Sequence, residues 1–117
     1  VREVCFIISA GAVVWADASG SPAALPDSRA RWQAIWAHRD ALDAIAHSHP
    51  LGPRAFSAED ESTMTAIDAA LGKPACYIVV APAGAIARLG ARGRTEPLRD
   101  EPWWMELLRL ASGFQEQ

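Results

Sequence analysis

The chain has 117 residues, 50% of them hydrophobic and 21% charged, with a formal net charge of -3. This suits one domain, residues 1–117, around a single core, with a composition close to that of a typical globular protein. The slight acidity gives no bulk electrostatic reason to expect nucleic acid as a partner, and no apolar run is long enough to span a membrane.

In chain order, the runs VCFIIS and AVVWA are short, apolar and rich in β-branched residues, and Ala10-Gly11 between them reads as a hairpin turn. The opening VREVCFIISAGAVVWADA mimics an export signal, with a basic residue, an apolar run and an A-x-A-like end. Glu3 stands in the would-be basic part and Gly11 interrupts the run, so the segment reads as folded structure. DASGSPAALPDS is loop by composition, and Asp27 or Ser28 then caps a helix expected to run to about Leu42 with Trp32, Ile35 and Trp36 inward. DAIAHSHP reads as a third strand that stops at Pro50.

Ser57 opens a second helix, with Met64, Ile67 and Leu71 on one face and Gly72 and Pro74 at its end. CYIVVA and AIARLG form two more strands around a PAG turn. RGRTEPLRD reads as loop, where Arg92 and Arg94, like Arg88 before them, are expected to be solvated charges. A last helix is expected from about Asp100, with Pro102 in its first turn and Trp104, Leu107, Leu108 and Ala111 inward, before a frayed GFQEQ tail. Of Trp103 and Trp104, one is expected to face the core. Cys5 and Cys76 both lie in strand-like runs; buried free thiols in a reducing compartment are the simplest account, which makes a cytoplasmic location the expectation, with a disulfide left open.

The sum is an α/β fold: a mixed central β-sheet of about five strands flanked by about three helices. Its element order does not alternate as in a doubly wound nucleotide-binding fold, and no glycine-rich phosphate loop follows a strand.

The stretch HSHPLGPRAFSAED, residues 47–60, carries the chemistry. Side chains at i and i+2 of a strand share a face, so His47 and His49 project together. Asp60 falls in the first turn of the next helix, where the helix dipole favours a carboxylate. Two imidazoles and one carboxylate make a zinc site with its fourth position open, the catalytic arrangement. Taken alone, SAED is an ordinary capping box with Ser57 as N-cap. Taken alone, H-x-H at a strand end is more often structural. Together, each on the right kind of element, they read as a metal site.

H-x-H-P, a loop of seven residues from Pro50 to Phe56, and S-x-x-D resemble the signature of the JAMM (JAB1/MPN/Mov34) metalloproteases. The resemblance implies the JAB1/MPN fold, similar to cytidine deaminases, and Zn²⁺ on His47, His49 and Asp60. It implies Glu3, in EVCFII, as the general base, and Ser57 as a donor to the developing oxyanion; Glu59 is a poorer base candidate. Phe6 stands where the family has glycine, and Phe56 where many members have proline. The implied activity is hydrolysis of an amide or isopeptide bond after the Gly-Gly tail of a ubiquitin-like or sulfur-carrier protein, by a compact prokaryotic-type enzyme. The alternatives are a non-catalytic MPN-like interaction module, or a RadC-like domain linked by name to DNA repair.

Overall fold

The computed structural model describes residues 1–20 and 28–114. Strands β1 (Val4–Ser9) and β2 (Ala12–Ala18) form the expected hairpin. Ala10 and Gly11 both have positive φ, 50° and 77°, which gives a two-residue turn the twist its strands need. The Gly11 N–H donates to Asp43 Oδ2 at 2.7 Å, tying the turn to the third strand.

Helix α1 (Arg29–Ala37) is capped by Ser28, whose side chain accepts from the Arg31 N–H; the other cap candidate, Asp27, lies outside the described residues. The helix stops short of the expected Leu42. A 3₁₀ turn (Arg39–Ala41) follows, because pairing of the next strand with β1 claims Leu42 opposite Ser9. Trp36 is not inward as expected: it is 52% exposed and stacks under the Arg39 guanidinium, 4.0 Å from the ring centroid. Ile35 carries the inward face.

β3 (Leu42–Ser48), α2 (Ala58–Leu71), β4 (Cys76–Ala81) and β5 (Gly84–Leu89) fall where their residues place them. The expected loop 92–100 holds a sixth strand, β6 (Glu96–Pro97), two residues long and on the sheet edge. Proline is tolerated at an edge, where no neighbour needs its missing N–H. Arg88 is not a solvated charge: it is half-buried, and its Nη1 lies 2.7 Å from both Glu61 carboxylate oxygens.

α3 (Trp104–Ser112) begins later than expected, with Pro102 before it. Trp104 is buried and Trp103 exposed. Leu107 faces out, and Met105 takes its expected place in the core. Gly113 caps the helix and Phe114 packs against the core; residues 115–117 of the expected tail lie outside the described residues.

The six strands form one sheet in the order β2-β1-β3-β4-β5-β6, antiparallel except for the parallel pair β3–β4 that α2 connects. β1 is buried along its whole length because both sheet faces are covered. Val4, Phe6, Ile8, Ala46 and Val80 face α3, whereas Cys5, Ile7, Ile45 and Tyr77 face α1 and α2. The two cysteines therefore sit in different core layers, and both are free thiols.

Candidate metal centre

The centre forms where three elements meet on the α2 side of the sheet. β3 runs parallel to β4, and past its end the His49 N–H still donates to the Val80 carbonyl at 2.8 Å. This keeps His49 in extended register, so its ring shares a face with that of His47. α2 then brings Asp60 up to both. Ser57 and Asp60 form the full capping box: the Asp60 N–H donates to Ser57 Oγ at 3.0 Å, and the Ser57 N–H donates to Asp60 Oδ2 at 2.7 Å. The cap fixes the carboxylate it borrows, so cap and ligand readings of Asp60 hold together.

Asp60 Oδ1 lies 3.2 Å from His47 Nε2, and Asp60 Oδ2 lies 3.5 Å from His49 Nε2. The two histidine Nε2 atoms are 3.1 Å apart. The donor atoms of His47, His49 and Asp60 all lie within 4.8 Å of one another and could hold a metal ion. His49 Nδ1 is 3.0 Å from the Pro53 carbonyl, which only accepts, so Nδ1 carries a proton; the neutral ring then presents its Nε2 lone pair to the centre, and the protonated ring donates from Nε2 to Asp60. Converging imidazole nitrogens at this spacing repel unless a proton or a cation lies between them. The donor chemistry fits a borderline divalent metal.

Glu3 joins them from the residue just before β1. Pairing sets Cys5 opposite His47, and Glu3 lies two residues before Cys5, on the same face of the chain. Glu3 is 6% exposed, and its Oε1 lies 3.6 Å from His49 Nε2. Burial raises its pKa above the ordinary carboxylate value, an effect that His49 and His47 partly offset. Burial also acts to raise Asp60, but hydrogen bonds from His47 and His49 outweigh it and hold that carboxyl far below its usual range. For His49, burial acts to lower the pKa, and the hydrogen bonds to Asp60 and Pro53 reverse the balance, leaving it raised. Two carboxylates that both approach His49 Nε2 thus have opposite tendencies: Asp60 stays charged, and Glu3 is a readier proton acceptor.

These groups line a cleft of about 770 Å³. Leu51, Gly52, Pro53, Phe56, Ser57 and Glu59 also line it. Ser57 reaches the cleft with its hydroxyl proton not used by the cap, which takes only an acceptor site. Glu59 is exposed and outside the donor cluster. Phe6 points to the α3 side, so the large side chain where the family has glycine does not touch the centre. Phe56 packs into the α2-side core under the Arg88 guanidinium, 4.7 Å from its ring centroid.

Sequence reasoning missed Cys5, Arg31 and Tyr77 as cleft residues. Cys5 was accessible from strand alternation with Glu3; its thiol is pushed up to about 12 by burial and is chemically quiet. Arg31 bonds Asp17 on β2 at 2.9 Å, a pairing across elements that no local spacing reveals.

A family model described as prokaryotic homologs of the JAB domain matches residues 3–91. The chain belongs to this family. Its matched span runs from Glu3 through both histidines and Asp60. No curated protein matches the chain. Among the described residues no helix is long and apolar enough to cross a membrane.

Proposed function

We propose that this JAB-domain chain is a zinc-dependent peptidase or isopeptidase that hydrolyses the amide bond after the Gly-Gly tail of a ubiquitin-like or sulfur-carrier protein. One observation carries the reading: a buried carboxylate outside the ligand set, Glu3, stands 3.6 Å from a histidine of that set. A structural site closes its fourth position with another ligand, whereas His47, His49 and Asp60 leave it open beside a base. Zn²⁺ held by these three would supply an acidified water, of pKa about 7, and a polarised scissile carbonyl.

Glu3 takes the proton of the attacking water at its carboxylate and delivers it to the leaving amine nitrogen. Its burial makes it a better acceptor than an exposed glutamate. Ser57 donates its hydroxyl proton to the carbonyl oxygen as charge grows there. His49, with Nδ1 committed to Pro53, stays oriented and out of the proton traffic. The histidine and aspartate side chains are only 9–19% exposed, which favours a tail without side chains, able to bring its backbone close in extended form. A reducing, cytoplasmic setting accords with the two free thiols.

The test is a panel of carrier-Gly-Gly fusions with metal analysis of the same protein. Zinc near one equivalent, turnover of the fusions and its abolition in Glu3→Gln are expected. No metal in the isolated protein, or equal turnover by Glu3→Gln, overturns the reading. The placement of Glu3 speaks against the non-catalytic alternative, and the net charge of -3 against the DNA-linked one.

A further inference from the structure

Two serines on the opposite side of the sheet from the metal centre form a buried clasp behind Glu3. Ser48, between the two histidines, and Ser112, in the last turn of α3, are each 0% exposed, and their Oγ atoms lie 2.7 Å apart. Ser112 Oγ is also 2.7 Å from the Leu108 carbonyl, and Ser48 Oγ accepts from the Val4 N–H at 2.9 Å. A carbonyl only accepts, and each hydroxyl has one proton. Ser112 therefore donates to Leu108, Ser48 donates to Ser112, and the remaining acceptor site of Ser48 takes the Val4 amide.

The same end of α3 holds the residues before Glu3. The Arg2 N–H donates to the Ser112 carbonyl at 3.0 Å, and Arg2 Nε donates to the Ala111 carbonyl at 3.1 Å. Gly113 has φ +77°, and a Cβ there would come within 3.3 Å of the Val1 nitrogen. The backbone ladder between β1 and β3 runs only as far as Cys5 opposite His47. Beyond it, Glu3 is set by the residue just past β2, Ser19, whose N–H donates to the Glu3 carbonyl at 3.0 Å, and by the serine clasp. The family match ends at residue 91, so Ser112 and all of α3 lie past it.

We infer that Ser112, acting through Ser48 and the Val4 amide, is a positioning residue that holds Glu3 against His49. It touches neither metal nor substrate. The catalytic consequence rests on the peptidase reading above; the clasp itself does not.

The experiment compares the full chain with Ser112→Ala and Ser48→Ala by residue-resolved amide exchange and, on the carrier-Gly-Gly fusions, by steady-state kinetics per bound zinc. Each change deletes one oxygen, so folding is expected to survive. Ile78→Ala, which hollows the same core layer without removing a hydroxyl, is the control for general loosening. In both serine variants the Val4 amide should exchange about tenfold faster while the Val79 amide changes little; in Ile78→Ala the two should accelerate together. If the fusions are substrates, the serine variants should lose roughly ten- to a hundredfold in kcat with KM unchanged, and Ile78→Ala should keep the parent kcat per zinc. Unchanged Val4 exchange in Ser112→Ala overturns the clasp. Faster Val4 exchange with undiminished kcat overturns the positioning role. A parent protein that cleaves no fusion overturns the peptidase reading, and the exchange data still judge the clasp.

Discussion

The two faces of the sheet are built from the same strands and do opposite things. On the α3 side, Phe6, Ala46, Val80 and Leu108 close a dry core in which the polar groups, Ser48 and Ser112, satisfy each other. On the α1/α2 side, Glu3, His47 and His49 face a cleft, where the histidine rings lie 3.2–3.6 Å from the Asp60 and Glu3 carboxylates. The contrast shows alternation at work: three consecutive residues, His47, Ser48 and His49, send the chemistry one way and the anchorage the other.

The contrast can be broken from either side. The largest effect is expected on the cleft face. His47→Ala or Asp60→Ala should lower metal affinity by roughly a hundredfold or more; His47→Ala should leave the metal-free melting temperature nearly unchanged, whereas Asp60→Ala should lower it too through loss of the capping box, as isothermal titration and calorimetry would read. On the other face, Leu108→Ala should cost about 2–5 kcal/mol in denaturant unfolding, with metal stoichiometry intact in the folded fraction. Ser57→Ala, on the boundary, should cost about 1 kcal/mol through loss of the cap and further weaken metal binding, because Asp60 loses its brace.

A subtler separation comes from pH. Asp60 is lowered, so its contribution to the metal-free protein is present above the ordinary value of 3.8 and is lost as pH falls through its folded value. His49 is raised, so its contribution is full below 6.5 and is lost as pH rises through its folded value. Metal binding needs the unprotonated ring and runs the other way. The melting-temperature gap between zinc-loaded and chelator-treated protein should therefore widen from about pH 5 to about pH 8. A gap that narrows would show that His49 does not face the metal.

The candidate metal ligands were legible because they lie within fourteen residues, His47 to Asp60, and obey local rules: strand alternation for the histidines and a capping box for the aspartate. The mixed sheet was legible from its apolar runs, except β6, whose proline and charged flanks look like loop and whose partner is set only by the finished sheet. Trp36 and Leu107 were assigned inward from spacing alone. Spacing counts positions on a helix but not what stands opposite, and Arg39 and solvent stand there. The seat of Glu3 was the least legible, because it depends on Ser48 and Ser112, sixty-four positions apart in the chain.

The pairing of β1 with β3 carries one last consequence. Its register shifts between Ile8 and Ser9, at the end away from the candidate metal centre, and from there the pairing runs to Cys5 opposite His47, with the place of Glu3 two residues further on. Removing one residue from within β1 would bring Arg2 to that place, a cation where the centre has an acid, and would turn the hydrocarbon row of the strand toward the wrong layer. Point substitutions along this strand can be graded from mild to severe. Changes in its length cannot, and the strand is expected to accept neither insertion nor deletion.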